Sequence, residues 1–247
     1  MPDRPLPNKI RFDSLQIDYI DHTVLAFLRA NNQIWDKGTN LHLYVWTHGN
    51  SIHIWDVFVR EIWPIFATNI RCLTFMDGDQ LDNLIRFISP TILFDLNINS
   101  VNSGELLPAV IGADFDRPNL TAVQALSKWL HTPRSDGQPK QLICHGCTLE
   151  FSKWINDFKE AFLRATTSSA SYKILFEDFI PMEIVPFELV NERTNEMLTL
   201  EKGDEDGWCS PWIIKRFQIG QMIQWEDKKL DNLNDVSFML QAADCIG

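Results

Sequence analysis

The sequence predicts an α/β protein in which strands and helices alternate. Short stretches of alternating apolar and polar residues indicate half-buried strands. Most of these stretches are followed by apolar residues at helical spacing, which indicate amphipathic helices. The chain has 247 residues, 45% of them hydrophobic, which is enough for the core of one large domain or two small ones. We therefore expect a globular chain of strand-helix units.

The first unit begins with a strand in which Leu15 and Ile17 alternate with polar residues. Asp21 then predicts a helix start, because its carboxylate can accept a free amide of the first turn. The second unit has a strand through Leu41 and a helix that Pro64 should kink or end, since its ring clashes with a carbonyl of the preceding turn. The third has a strand around residues 73 to 75 and a helix with Leu81, Leu84, Ile85 and Ile88.

Alternation of Ile92, Phe94 and further apolar residues up to 98 predicts a fourth strand. Residues 99–120 are rich in Asn, Ser, Gly, Pro and Asp, as loops are. Thr121 and Gln124 then form a capping-box pattern, which predicts another helix start. After a turn at 133–139, the pattern predicts a strand through Leu142 and Cys144, a helix with Phe151, Trp154, Ile155, Phe158 and Phe162, and a strand through Tyr172, Ile174 and Phe176.

The spacing of the strands is loosely periodic. The intervals from Leu15 to Leu43, from Leu43 to Leu73 and from Leu142 to Ile174 are 28, 30 and 32 residues. This period predicts an irregular solenoid of the leucine-rich-repeat type, although the intervals of 21 and 48 residues between Leu73 and Leu142 break it. A doubly wound α/β fold is the alternative, since it also alternates strands and helices.

The pattern changes after Pro181. Apolar residues at 187–189 and 198–200 flank a polar turn at 191–195, which predicts a β-hairpin, and further short strands are expected between 208 and 219. We expect a small antiparallel β segment that caps the solenoid. The predicted division is therefore a strand-helix repeat domain over residues 1–180 and a β-rich segment and tail over residues 181–247.

Composition restricts the partners and the compartment. There are 22 Lys and Arg against 33 Asp and Glu, and the net charge of −11 disfavours nucleic acid and anionic membranes. The first residues do not form a secretory signal, and no apolar run is long enough to span a bilayer. Five scattered cysteines do not predict a disulfide framework. We expect a cytoplasmic or nuclear protein with a protein partner.

Three stretches resemble one known family. They are Pro5-Leu6-Pro7-Asn8-Lys9-Ile10; residues 128–134 with 136–137 and 139–140; and residues 185–189 with Thr194 and 198–200. Together they are similar to the nematode F-box-associated family, from about residue 5 to residue 200. In that family an F-box recruits a cullin-RING ubiquitin ligase, and this region binds the substrate.

The resemblance implies a non-catalytic protein-interaction module, the substrate-recognition region of an F-box subunit. Because the region begins almost at residue 1, ligase association would need an F-box that this chain lacks. A structural or decoy protein without ligase association is one alternative. A thiol redox protein that uses Cys144 and Cys147 is another, since two thiols at this spacing can form a redox pair. That pair lacks two further ligands for a structural zinc site.

We expect no enzyme, cofactor or metal, because the motifs of hydrolases, nucleotide-binding proteins and metalloproteases are missing from the sequence. In a solenoid, strand residues that point away from the helices line an open sheet face, which is the usual binding surface of repeat proteins. The predicted partner-binding surface consists of Tyr44, Trp46, Asp95, Asn97, His145, Lys173 and Glu177.

Overall fold

The computed structural model describes residues 14–18, 20–31, 39–46, 52–95, 98–110, 120–146, 151–177, 184–203, 210–221, 223, 225 and 234–241. These belong to two compact units. The first is drawn from residues 1–98 and 228–247, and the second from residues 99–227. Strand β6 and the hairpin after it lie in the same unit, whereas the predicted division separates them at residue 180.

Ten strands lie within the described residues: β1 (Ser14–Ile17), β2 (Thr39–Trp46), β3 (Ile70–Phe75), β4 (Ser100–Asn102), β5 (Lys140–His145), β6 (Tyr172–Glu177), β7 (Phe187–Asn191), β8 (Glu196–Lys202), β9 (Trp212–Gln218) and β10 (Asn234–Gln241). The α-helices there are α1 (His22–Ala30), α2 (Ile52–Val57), α3 (Trp63–Phe66), α4 (Gly78–Phe87), α5 (Ile92–Asp95), α6 (Ala122–His131) and α7 (Phe151–Arg164). A π-helical turn, Phe58–Ile62, joins α2 to α3. The predicted mixed α/β class is confirmed.

The strands of the first unit are parallel and lie in the order β1, β10, β2, β3. Of the strands that the structure describes, the last in the sequence therefore separates the first two, which a solenoid built in chain order would place side by side. Phe238 of β10 is buried and packs edge-on against Phe58 and Phe66, with ring centroids 5.6 and 5.9 Å away. Residues on both sides of β3 are buried, including Cys72, Thr74 and Phe75.

The first helix begins as predicted. The carboxylate of Asp21 accepts a hydrogen bond from the amide of Val24 at 2.7 Å, and Val24, Phe27 and Leu28 form the buried side of α1. We expect Asp21→Ala to lower the free energy of unfolding by about 1 kcal/mol, because one first-turn amide loses its acceptor. Asp21→Asn keeps the cap and should lose only a few tenths of that value. Chemical denaturation of the two variants checks this, and equal losses would contradict it.

Pro64 does not end its helix, contrary to one of the two outcomes expected from the sequence. The turn before it widens to π geometry, so that the amide of Trp63 donates to the carbonyl of Phe58, five residues earlier. Pro64 then occupies the first turn of α3, where a missing amide hydrogen costs little. The helical path continues to Phe66.

The predicted strand over residues 92 to 98 is wrong, because α5 occupies Ile92–Asp95. The hydroxyls of Ser89 and Thr91 donate to the carboxylate of Asp95 at 3.1 and 2.7 Å, and these local bonds favour a helical turn. Ile92 and Leu93 are adjacent and both buried, whereas a half-buried strand would expose one of any two adjacent residues. The strand of this region, β4, lies within the predicted loop at 99–120.

The second unit combines parallel and antiparallel strands. Strands β4, β5 and β6 are parallel neighbours in chain order, and β9, β8 and β7 continue from β6 in antiparallel fashion. The predicted hairpin is confirmed, with β7 and β8 joined by a turn in which Asn195 adopts a positive φ of 56°. The capping box is confirmed as well, since the amide of Thr121 donates to Oε1 of Gln124 at 3.0 Å.

Candidate functional site

The helices of the second unit pack against one side of β5 and β6. Phe151 and Trp154 of α7 lie against Phe176, with ring centroids 4.8 and 5.9 Å apart. Leu142, Cys144, Ile174 and Phe176 are buried on this side. Because side chains alternate along a strand, the residues between them point to the other side.

That other side is half-exposed. We name it the open face and define it by Ile143 and His145 of β5, Leu175 and Glu177 of β6, and Ile213 and Lys215 of β9. The register aligns these residues across the three strands, since Ile143 pairs with Leu175 and Leu175 with Ile213. The open face therefore combines aliphatic side chains with charges of both signs.

Aromatic residues extend the open face along β9. Phe217 and Trp225 meet edge-on with centroids 5.9 Å apart, and the ammonium group of Lys215 lies 5.9 Å from the Trp225 ring centroid. Lys215 also forms an ion pair with Glu201 of β8. Aromatic residues such as these are enriched at protein interfaces relative to the rest of the surface.

His145 lies at the carboxyl end of β5, between Asn102 of β4 and Glu177 of β6. Nδ2 of Asn102 is 3.0 Å from Nε2 of His145, and Nδ1 of His145 is 3.7 Å from a carboxylate oxygen of Glu177. The amide of Gly104 donates to Oδ1 of Asn102 at 3.3 Å, which orients the NH2 group of Asn102 toward the ring. In the neutral imidazole, Nε2 therefore accepts from Asn102 and Nδ1 carries the proton toward Glu177. This carboxyl-edge cluster presents a polar, oriented surface.

Backbone geometry holds this cluster in place. The amide of His145 donates to the carbonyl of Gly104 at 2.7 Å, which ties the end of β5 to the chain after β4. Gly146 follows with a φ of +62°, and a side chain there would also contact Glu105. Glycine is favoured at this position because L side chains rarely adopt this conformation.

Two of the seven predicted surface residues, His145 and Glu177, are brought together in this cluster. Lys173 lies on the same side of β6, but it is only 5% exposed. Asp95 belongs to α5 and bonds Ser89 and Thr91, so its predicted place on a strand is wrong. Tyr44 and Trp46 lie in β2 with side chains outside the described part of the structure, and Asn97 lies outside the described residues altogether.

The sequence does not predict the positions of Asn102 and Lys215 in this site. The Asn, Ser and Gly residues around Asn102 indicate a loop, although the Ser100-Val101-Asn102 stretch alternates weakly. Short strands are predicted around Lys215, but the pattern does not set their register. The parity of Lys215 with Ile213 and Phe217 along β9 was the signal that could have placed it on the same side.

A second polar region of this unit is an open pocket of about 710 Å³ beside α7. His131 and Arg216 line it, together with the loop at 166–169. Arg216 is buried and donates from Nη2 to Oε2 of buried Glu196 at 2.7 Å. Oε1 of Glu196 also accepts from the amide of Ser169 at 2.9 Å.

His131 is neutral in this region. Its Nδ1 lies 2.8 Å from the carbonyl of Ser127, so Nδ1 carries the proton and Nε2 accepts from the hydroxyl of Tyr172 at 3.1 Å. Burial lowers the pKa of His131 to about 3, although the bond to Ser127 acts in the opposite direction. Burial also raises the pKa of Tyr172 to about 12. The two rings and the ion pair form a satisfied polar network.

Lys140 of β5 is also buried. Its ammonium group donates to the carbonyl of Trp129 and lies 5.0 Å from the Trp129 ring centroid. Burial, with a smaller contribution from nearby Arg134, lowers the pKa of Lys140 to about 8. These contacts are structural, because the carbonyl and the indole belong to the core side of α6.

Cys144, one half of the predicted redox pair, is a buried thiol. Its Sγ lies 3.5 Å from Oγ of Ser103 and 3.8 Å from the carbonyl of Leu106. Reactive cysteines are in general partly exposed, whereas only 1% of Cys144 is exposed. Cys147 lies outside the described residues.

Neither a metal cluster nor a membrane helix is found in the described part of the chain. No three His, Cys, Asp or Glu side chains there could hold a metal ion together. None of the helices described above has the length and apolarity to cross a bilayer.

Comparisons of the chain with protein-family models, with curated proteins and with solved structures find no match.

Proposed function

We propose that the chain is a non-catalytic protein-interaction module that binds a partner protein through the open face of its second unit. The proposal keeps the resemblance to the substrate-recognition region of an F-box subunit of a cullin-RING ubiquitin ligase. The observation that carries it is the one-sided packing of α7 on β6, which leaves the opposite side of the sheet half-exposed. Sheet faces of this kind bind partners in repeat proteins.

The chemistry of the open face supports a protein partner. Ile143, Leu175 and Ile213 form an aliphatic row across three strands, and Glu177 and Lys215 flank it. Aliphatic and aromatic groups supply the buried centre of an interface, whereas charges at the rim steer the partner and select it. His145, held by Asn102, presents an oriented ring at the carboxyl edge of this surface.

The proposed fold of this region is an irregular solenoid segment made of β4, α6, β5, α7 and β6. The parallel pairing of β4, β5 and β6 in chain order supports it. The antiparallel strands β9, β8 and β7 would then cap the exposed edge of β6. We place the module in the cytoplasm or nucleus, where cullin-RING ligases act.

The test is to fuse an F-box to the chain and to measure ubiquitin transfer to the proteins that it captures in cells. We expect the double variant His145→Ala with Glu177→Lys to lower the ubiquitylated fraction at least about tenfold, a change of about 1.4 kcal/mol in binding. The reason is that the variant removes the oriented imidazole and reverses a charge on the open face. Quantitative mass spectrometry of ubiquitylated peptides gives the readout.

The matched control is Asn156→Lys, which places a lysine on the exposed side of α7. It should leave the captured proteins and their ubiquitylation unchanged. Circular dichroism establishes that both variants fold. If the open-face variant ubiquitylates the same proteins as the wild type, the open face is not the recognition surface. If neither protein ubiquitylates a specific set, the decoy alternative is favoured.

A further inference from the structure

Strand β7 forms an edge of the second unit. Within the described residues it pairs with β8 on one side and has no strand partner on the other. An edge strand presents a row of unpaired amides and carbonyls that can pair with another extended chain. Proteins commonly cover or shorten such edges unless they use them.

The exposed apolar side chains of the described residues are concentrated at this edge. Five large apolar side chains are exposed in the described part of the chain, and three of them are Leu163, Val185 and Val190, with exposed fractions of 46, 72 and 46%. Val190 lies in β7 and Val185 just before it. Leu163 lies beside Phe162, whose carbonyl accepts from Asn191 of β7 at 2.7 Å. Val185 and Val190 therefore belong to the edge segment, and Leu163 lies in the last turn of α7, which contacts the end of β7.

The charges along β7 are arranged around this apolar centre. Glu188 is exposed and lies on the same side of β7 as Val190, and Glu192 is exposed in the first position of the turn after the strand. Phe187, of the opposite parity, has the ammonium group of Lys159 4.0 Å from its ring centroid. Arg193 is exposed in the turn after the strand. The side with Glu188 is thus complementary to basic residues that flank an aliphatic one.

We infer that the edge of β7 binds an extended, basic segment of a partner protein by adding it to the sheet as a further strand. The segment would carry an aliphatic residue opposite Val190 and a basic residue on each side of it, one opposite Glu188 and one near Glu192 at the end of the strand. This pattern is symmetric, so it suits a parallel or an antiparallel strand. The inference rests on the proposed function as a protein-binding module and adds a recognition mode to it. A second copy of the chain is disfavoured, because each copy carries a net charge of −11.

The first experiment uses a blocked, fluorescent peptide with Lys, Val and Lys at alternate positions among threonines. Fluorescence anisotropy should show binding to the full chain, and a peptide with Glu in place of both Lys should bind at least about tenfold more weakly, since cross-strand charges are reversed. The protein variant Glu188→Lys with Glu192→Lys should reverse this preference. The control Asp18→Lys with Asp136→Lys makes the same charge change at exposed positions away from β7 and should keep the preference.

The second experiment tests backbone pairing. In an added strand, alternate amides of the peptide point toward β7 and the others point away. Methylating the first set of peptide nitrogens should abolish binding, whereas methylating the second set should change it less than about threefold. Equal effects of the two sets would overturn strand addition.

Three further outcomes would also overturn the inference. One is peptide binding that is unchanged in the variant Glu188→Lys with Glu192→Lys but abolished in His145→Ala with Glu177→Lys. That result would mean that the peptide binds the open face, and it would leave the proposed function in place. Another is the absence of peptide binding, in which case the ubiquitin-transfer assay still decides the proposed function separately. The last is a dimer in sedimentation velocity that Glu188→Lys with Glu192→Lys changes, which would identify a second copy as the occupant.

Discussion

Replacing Glu196 by alanine is expected to lower the free energy of unfolding by about 3 to 5 kcal/mol. The Glu196 and Arg216 side chains are only 1 and 2% exposed. The variant leaves the guanidinium in a buried site without its carboxylate, and it also removes the acceptor of the Ser169 amide. A buried charge that has lost its partner is among the most costly defects in a folded protein. Urea unfolding followed by circular dichroism and tryptophan fluorescence measures the loss.

Two variants show whether the loss comes from the unpaired charge. Asp56→Ala removes the partner of Arg60 in an exposed pair and should cost about 0.5 kcal/mol or less. The double variant Glu196→Leu with Arg216→Leu should be more stable than Glu196→Ala, because no unpaired charge remains. A loss for Glu196→Ala as small as that for Asp56→Ala would show that water reaches the pair and screens it.

The features that the sequence predicted correctly depend on nearby residues. The Asp21 cap, the Thr121 capping box and the 191–195 turn each involve hydrogen bonds or backbone angles within about four residues. Such interactions are written in the local order of residues, since Asp, Thr and Asn satisfy specific backbone groups. They predict where elements begin and turn, but they do not specify which strands become neighbours.

The missed features depend on residues distant in the sequence. Strand β10 lies between β1 and β2, and nothing in its own residues identifies these two neighbours. The alternation at residues 92 to 98 suited a strand, but the hydrogen bonds of Ser89 and Thr91 with Asp95 favour a short helix. Short apolar stretches are ambiguous in this way because helix and strand both bury them.

The candidate site was predicted only in part, for the same reason. Strand parity was enough to place His145, Lys173 and Glu177 on one side of the sheet. Parity does not predict burial, and Lys173 is nearly inaccessible. Asn102 contacts His145 from 43 positions away, so the cluster depends on the pairing of β4 with β5.

The protein should lose stability as the pH falls below about 6.5, because the unfolded state then binds a proton at His131 that the folded state does not. Most carboxylates titrate at a lower pH. The unfolded histidine takes up a proton near pH 6.5, whereas in the folded chain the pKa of His131 is about 3. Protons therefore bind the unfolded state first, so stability is constant above about pH 6.5 and falls as the pH decreases toward 3. Between pH 7 and pH 5 we expect His131 to contribute a loss of about 1 to 2 kcal/mol.

The variant His131→Gln isolates this contribution, because it removes the titrating ring and keeps a polar side chain near Tyr172. Whatever stability it loses at pH 7, its further loss between pH 7 and pH 5 should be smaller than that of the wild type by about 1 to 2 kcal/mol. His22→Gln, at an exposed position of α1, should retain the wild-type dependence. Identical dependences for His131→Gln and the wild type would mean that the folded chain protonates His131 readily. Nδ1 donates to the Ser127 carbonyl in either protonation state, so only the bond from the Tyr172 hydroxyl to Nε2 would have to reverse.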